Sequence, residues 1–149
     1  MSGGIVLFIC VENAGRSLMA ESIFNANPAP GWVAESAGTR PAAAAHPRTG
    51  PMLEEIGLRL PSHPPRALSR ETMDAAQVRV TMGCLDDRSC PAHLKDLELR
   101  DWQLEDPATL DDAGFRRVRD AIVQRVGRLR LELMVADRRS AELLRSRFQ

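Results

Sequence analysis

The chain has 149 residues, the length of one ordinary domain, and its 44% hydrophobic and 27% charged residues are typical of a globular protein. The 20 basic and 20 acidic residues cancel, which excludes a global electrostatic field that would favour nucleic acid or a membrane surface as partner. No apolar run approaches the roughly 20 residues of a membrane span, and the N-terminal residues lack a signal-peptide pattern. We therefore expect a cytoplasmic protein in a reducing compartment, where cysteines are more often reactive or buried than joined in disulfides.

The first predicted element is a strand at residues 5–10, where a continuous apolar run is typical of a central parallel strand that is buried on both faces. A turn with Asn13 and Gly15 follows, and residues 17–26 have the apolar spacing of a helix. A strand, a glycine-containing turn and a helix in this order direct backbone N–H groups and a helix N-terminus at an anion. The pattern therefore predicts an anion-binding loop at the end of the first strand.

Strands and helices continue to alternate along the rest of the chain. Further strands are predicted at residues 32–37, 77–82 and 97–99, and helices at residues 47–56, after Ser69, and from residue 111 through Leu133. The alternation predicts one α/β domain over residues 1–149, with a mostly parallel sheet, a core at about residues 4–134 and a C-terminal extension at 135–149. Ligands bind at the carboxyl ends of strands in such sheets, and Cys10, Cys84 and Asp106 each follow a predicted strand.

The predicted loop has the chemistry of a nucleophilic thiolate that attacks an oxyanion. A helix N-terminus and a nearby cation lower the pKa of a thiol such as Cys10, and the planar guanidinium of Arg16 matches two oxygens of a phosphate-like ligand. Ser17 can donate its hydroxyl to the Cys10 sulfur, and Asn13 tolerates the left-handed backbone of a tight loop. The backbone N–H groups expected to hold the oxyanion belong to Val11, Glu12, Asn13, Ala14, Gly15 and Arg16.

The alternative is that Cys10 is an ordinary buried strand residue and Arg16 a surface residue, since a cysteine and an arginine at this spacing often occur by chance. The position of the loop, directly between the first strand and a helix, favours the functional interpretation.

The segment FICVENAGRSLMAE at residues 8–21 resembles the phosphate loop of low-molecular-weight protein tyrosine phosphatases and of the thioredoxin-coupled arsenate reductases in the same superfamily. The similarity continues in matching order to about residue 132, through Ser36-Ala37-Gly38-Thr39, Val80-Thr81-Met82, Cys84, Cys90-Pro91, Asp101-Trp102 and Asp106-Pro107-Ala108. It implies a three-layer α/β/α sandwich with a four-stranded parallel sheet. It also implies arsenate or phosphate as ligand, thioredoxin as partner, and neither a metal nor an organic cofactor.

The shared pattern of both branches of this superfamily assigns the general acid to Asp106, the aspartate of an Asp-Pro pair. This carboxyl group would protonate the departing oxygen. The alternative is that Asp106 and Pro107 only form a turn.

Cys84 and Cys90 distinguish a reductase from a phosphatase. The resemblance implies that Cys84 attacks Cys10 to expel arsenite, and that Cys90 then attacks Cys84 and carries the disulfide outward, which requires each sulfur to reach the next. The alternative is a core residue at Cys84 and a spare loop thiol at Cys90. A zinc site is disfavoured, because His93 is the sole nearby imidazole and the spacing matches no usual zinc motif.

The sequence is compatible with three functions. A thioredoxin-coupled arsenate reductase leads, because phosphatases of this family usually carry an aromatic residue after Asp-Pro, where this chain has Ala108 and no tyrosine anywhere. A tyrosine phosphatase acting on phosphomonoesters through a cysteinyl-phosphate intermediate is the alternative. A non-catalytic oxyanion-binding module is the third, and the presence of both Cys10 and Asp106 argues against it.

Some reductases of the superfamily bind potassium beside the loop through residues that match Asn13, Glu21 and Ser36. The fourth acidic ligand has no match here, so we hypothesise that Arg66 replaces the cation and pairs with Glu21. The remaining histidines outside the cysteine segment, His46 and His63, lie in proline-containing loops and are expected to be surface residues.

Overall fold

The computed structural model of the protein describes residues 3–83 and 98–147. Over these residues, the strands β1 (Gly4–Cys10), β2 (Trp32–Gly38), β3 (Val78–Thr81) and β4 (Arg100–Asp101) form a 4-stranded parallel sheet in the order β2-β1-β3-β4. The helices are α1 (Arg16–Ala26), α2 (Thr49–Glu54), α3 (Arg70–Ala75) and α4 (Asp112–Arg147), and a 3₁₀ turn spans Pro107–Thr109. The predicted α/β fold with a four-stranded parallel sheet is confirmed.

The central strand β1 explains the continuous apolar run at the start of the sequence. Phe8 and Cys10 pack into a large cluster that includes residues of α1, α2 and α4. Leu7 and Ile9 point to the opposite face and pack into a smaller cluster with Met73 of α3. Because successive side chains of a strand alternate between faces, a strand covered by helices on both sides must be apolar at every position.

The predicted boundary of the fourth strand is wrong. A strand was expected at residues 97–99, of which residue 97 lies outside the described residues, but β4 consists of Arg100–Asp101 and pairs with the last two residues of β3. Leu99 packs against the smaller core cluster instead of joining the ladder. The apolar residues predicted the place where this segment contacts the core. The pairing register with β3, however, determines which residues form the strand.

The long helix α4 follows the predicted amphipathic pattern and extends beyond it. The helix has 36 residues, and its apolar buried side chains recur at three- and four-residue steps, namely Phe115, Val118, Ile122, Val126, Leu129 and Leu133. It continues through most of the predicted C-terminal extension, where the indole nitrogen of Trp32 donates to Asp137 Oδ2 at 2.9 Å. No helix in the described ranges has the combination of length and apolar content that crossing a membrane requires.

A cluster of charged side chains ties the C-terminal end of α2 to α4. The carboxylate of Glu55 accepts hydrogen bonds from Arg116 at 2.9 Å and from Arg119 at 2.6 Å. Arg119 is buried and also donates to the carbonyl oxygen of Met52 at 3.1 Å. The hydrogen bonds from Arg116 first, and then those from Arg119, lower the pKa of Glu55 from 4.5 to about 2.

We expect Glu55→Gln to lower the free energy of unfolding at neutral pH. Because the pKa of Glu55 is lower in the folded state, its contribution is fully present above pH 4.5 and is lost as the pH falls toward about 2. The stability difference between wild type and variant, measured by urea unfolding across this range, should therefore narrow with acidification. Glu54→Gln is the matched control, because Glu54 is an exposed residue of the same helix. A difference in unfolding free energy that stays constant with pH would contradict the lowered pKa of Glu55 in the folded state.

Candidate active site

The loop between β1 and α1 is held by hydrogen bonds from the segment that follows β2. The carbonyl oxygens of Cys10, Val11, Glu12 and Ala14 accept from the backbone N–H groups of Thr39, Arg40, Ala42 and His46 at 2.8–3.1 Å. In a planar trans peptide the C=O and the next N–H point in opposite directions. The outward carbonyls therefore turn the following N–H groups inward, which suits them to bind an oxyanion.

The geometry at Cys10 agrees with this orientation of the loop. The backbone N–H of Asn13, which follows one of the outward carbonyls, donates to the sulfur of Cys10 at 3.2 Å. Asn13 has a φ of 51°, in the left-handed region that Asn tolerates better than most residues. Close packing against the end of β2 requires Gly38, because a Cβ there would lie 2.5 Å from the carbonyl oxygen of Val11.

A buried chain of polar side chains orients the group beside the sulfur. The amide nitrogen of Asn13 donates to Ser17 Oγ at 2.8 Å and to Ser36 Oγ at 2.9 Å, and its amide oxygen accepts the backbone N–H of Arg66 at 3.0 Å. Ser17 Oγ lies 2.8 Å from the sulfur of Cys10. Since Asn13 donates to Ser17, the hydroxyl proton of Ser17 is available to the sulfur, where it stabilises a thiolate.

The same chain ends at Glu21, whose buried carboxylate accepts from Ser36 Oγ at 2.7 Å. His63 Nε2 lies 2.9 Å from both carboxylate oxygens, and His63 Nδ1 lies 2.7 Å from the carbonyl oxygen of Pro64. The expected pairing of Arg66 with Glu21 is present at 3.9 Å, but His63 is closer. His63, expected at the surface rather than as a ligand, is half-buried, because loop packing brings its ring onto the buried carboxylate of Glu21.

Arg16 joins the anion loop to the far side of the site. This buried side chain donates from Nη1 to the carbonyl oxygen of Leu104 at 2.7 Å and to that of Met82 at 3.2 Å. The two acceptors follow β3 and β4, so one guanidinium holds together the carboxyl ends of both strands and the helix α1. Because a guanidinium has five donors, Arg16 retains others for a ligand in the cleft that it lines.

A cleft of about 490 Å³ opens above the loop. Residues from distant parts of the chain line it, namely Cys10, Val11, Glu12, Ala14, Gly15, Arg16, His46, Gly83, Leu104, Glu105, Asp106, Pro107, Ala108 and Phe115. Asp106 is exposed, and its Oδ1 accepts the backbone N–H of Ala108 at 3.0 Å, which caps the 3₁₀ turn. The cleft therefore brings a thiol, a guanidinium and a carboxyl group together around a space of small-molecule size.

The outcome for the predicted site residues is mixed. The cleft contains Cys10, Arg16 and Asp106, and Ser17 contacts the sulfur from below it. Cys84 and Cys90 lie outside the described residues. His46, expected on the surface, lines the cleft with its ring 5.8 Å from that of Phe115. No sequence pattern placed His46 or Phe115 in the cleft, because that position depends on how a loop and a helix pack together.

No group of three or more His, Cys, Asp or Glu side chains that could hold a metal ion occurs within residues 3–83 and 98–147. Glu21 is the acidic member of the site where we considered potassium, and its carboxylate already faces His63 and Arg66. The carboxylate therefore already has two nitrogen-bearing side chains beside it.

A parallel α/β sheet with a cysteine-containing anion loop at the end of its central strand is the architecture of a phosphatase-like enzyme. The model of the family "Low molecular weight phosphotyrosine protein phosphatase" matches residues 5–140. The chain belongs to this family, as the resemblance in the sequence predicted.

Arsenate reductases occur among the similar proteins. A putative arsenate reductase of Halobacterium salinarum is 31% identical over 124 residues, which is 80% of this chain and 85% of that protein. The structure of an arsenate reductase in the phosphate binding state aligns with a TM-score of 0.76 at 28% identity, over 89% of this chain and 99% of that one. A thioredoxin-dependent arsenate reductase of Corynebacterium glutamicum aligns with a TM-score of 0.74 at 30% identity, over 91% of this chain and 64% of that one.

We expect turnover to be insensitive to potassium, because the guanidinium of Arg66 and the ring of His63 already face Glu21. The test replaces sodium chloride by potassium chloride at constant ionic strength and compares initial rates. The matched variant Arg66→Ala removes the guanidinium and shows whether a potassium response is gained. A several-fold rise in the wild-type rate would show that the hypothesis is wrong.

Proposed function

We propose that this protein reduces arsenate to arsenite through a three-cysteine relay that thioredoxin resets. The observation that carries the proposal is that Cys10, Arg16 and Asp106 line one cleft, because these groups can supply a nucleophile, an oxyanion clamp and an acid for the same bound molecule. Thioredoxin acts in reducing compartments, so the proposed site of action is the cytoplasm.

In the first step the Cys10 thiolate attacks the arsenic atom, and one As–O bond breaks. The inward N–H groups of the loop and the guanidinium of Arg16 stabilise the negative charge on the remaining oxygens. Asp106 supplies the proton with which the departing oxygen leaves as water. The product is a covalent adduct of Cys10 with arsenic(V).

The second step reduces the arsenic. The Cys84 thiolate attacks the sulfur of Cys10 and forms a Cys10–Cys84 disulfide. The S–As bond breaks, and its electron pair stays on arsenic, which leaves as arsenite. Cys90 then attacks Cys84 and releases Cys10 as a thiolate, and the dithiol of thioredoxin reduces the Cys84–Cys90 disulfide. Gly83, the residue that precedes Cys84 in the sequence, lines the same cleft, which supports the participation of Cys84.

The residue that follows Asp106-Pro107 favours a small inorganic oxyanion. Ala108 follows Asp106-Pro107 at the rim and has only a methyl group to offer a substrate ring. The arsenate reductases among the similar proteins agree with this preference.

Hydrolysis of phosphomonoesters is the second candidate function. The phosphatase family of the chain favours it, and attack by Cys10 with protonation by Asp106 needs neither Cys84 nor Cys90. We therefore expect a weak phosphatase activity alongside arsenate reduction.

The decisive experiment follows NADPH oxidation in the presence of arsenate, thioredoxin and thioredoxin reductase. We expect Cys84→Ser and Cys90→Ser each to abolish repeated turnover, because either change interrupts the path of the electrons. Both variants should retain hydrolysis of p-nitrophenyl phosphate, which serves as their folding control. NADPH oxidation that does not require arsenate, or that proceeds normally in both variants, would refute the reductase.

Substitutions in the anion site should affect both activities together. Cys10→Ser is expected to abolish arsenate reduction and phosphatase turnover, because both begin with the same thiolate. Asp106→Asn should lower both rates by about 100- to 10,000-fold, the usual contribution of a general acid. Initial rates with arsenate and with p-nitrophenyl phosphate measure these losses. Glu105→Gln is the control, because Glu105 is the neighbouring carboxylate in the cleft. An equal loss in Glu105→Gln would argue against a specific role of Asp106.

A further inference from the structure

Arg48 lies just outside the cleft and has no part in the steps above, yet its guanidinium makes many contacts with the segment that follows Asp106. Nη2 donates to the carbonyl oxygens of Pro107 at 3.1 Å and Leu110 at 2.8 Å. Nη1 forms an ion pair with Asp112 at 3.1 Å, and the guanidinium carbon lies 4.8 Å from the centre of the Phe115 ring. One side chain thus holds the 3₁₀ turn, the start of α4 and an aromatic residue of the cleft.

The segment that carries Asp106 is fixed from two directions. Before Asp106, the carbonyl oxygen of Leu104 accepts from Arg16. After Asp106, the carbonyl oxygens of Pro107 and Leu110 accept from Arg48. Within residues 3–83 and 98–147, the hydrogen bond of the exposed Asp106 side chain is local to its own turn, where it accepts from the N–H of Ala108. The two arginines therefore help to hold Asp106 beside the anion loop.

Arg48 is in turn attached to the anion loop. The neighbouring His46 donates its backbone N–H to the carbonyl oxygen of Ala14 at 2.9 Å, and the hydroxyl of Thr49 donates to the same oxygen at 2.8 Å. The backbone N–H of Arg48 donates to the ring of His46 at 3.2 Å. A continuous set of hydrogen bonds thus runs from the loop that holds the oxyanion, through Arg48, to the turn that carries the acid.

We infer that Arg48 is a positioning residue, which sets the distance between the Asp106 carboxyl group and an oxyanion bound at Cys10. The inference rests on the proposed role of Asp106 as the acid. A misplacement of about 1 Å costs a reaction about 100-fold, so losing these anchors should slow the step that Asp106 assists. Lysine cannot replace the anchor, because a single ammonium does not reproduce the planar fork that meets carbonyls and a carboxylate together.

The test is a double-mutant cycle of Arg48→Gln with Asp106→Asn, in which kcat/KM for arsenate is measured for each variant. If Arg48 acts through Asp106, Arg48→Gln alone lowers kcat/KM by about 100-fold and adds no further loss in the double variant. Arg48→Lys should lie near Arg48→Gln. Arg116→Gln is the matched control, because Arg116 also links α4 to the end of α2, through Glu55, away from the cleft; it should retain the wild-type rate.

A second measurement separates positioning of the acid from damage to the anion loop. We expect phosphate to protect Cys10 against alkylation by iodoacetamide when it occupies the loop, and the phosphate concentration for half protection should be the same in Arg48→Gln as in wild type. Weaker protection, losses that multiply in the double variant, or a wild-type rate in Arg48→Gln would each overturn the inference.

These experiments distinguish failure of the inference about Arg48 from failure of the proposed function. If the wild type reduces no arsenate, the reductase proposal fails, and the same cycle run on p-nitrophenyl phosphate hydrolysis still decides the role of Arg48. If Asp106→Asn has the wild-type rate on both substrates, Asp106 is not the acid and the inference about Arg48 is overturned with it.

Discussion

The site depends on one constraint of the backbone: the loop after β1 must turn its N–H groups inward, so its carbonyl oxygens must find partners on the outside. Residues 39–46 provide those partners, with N–H groups that reach four loop carbonyls. They can do so only because β2 pairs in parallel beside β1 and ends at Gly38, which allows the two backbones to approach closely. The order of strands in the sheet is therefore a condition for the anion cradle.

The polar chain behind the loop gives the cradle a fixed orientation. Buried polar groups cost free energy unless they are hydrogen-bonded, and here Asn13, Ser17, Ser36 and Glu21 satisfy one another in a continuous series. The series crosses from the anion loop to α1 and β2, and ends at His63 in the loop before α3. The hydrogen bonds that orient the anion loop are thus the same ones that satisfy the buried polar groups of α1 and β2.

Three loops far apart in sequence meet at the cleft, and arginines connect them. Arg16 joins the anion loop to the carbonyl of Leu104, and Arg48 joins the segment after β2 to Pro107 and Leu110. Guanidinium groups suit this task because several rigid donors can bind carbonyl oxygens at the same time. Asp106 and Cys10, the proposed acid and nucleophile, consequently belong to one hydrogen-bonded framework.

The sequence by itself determined the alternation of strands and helices, the anion loop with Cys10 and Arg16, and the family, because apolar periodicity and a short motif are local signals. It misplaced β4 and assigned His46 and His63 to the surface, and it gave no sign of Arg48. Only the tertiary structure decided these, because their partners lie many residues away and are selected by strand register and loop packing. A short proline-rich loop has no periodicity that reveals which buried carboxylate or carbonyl it will meet.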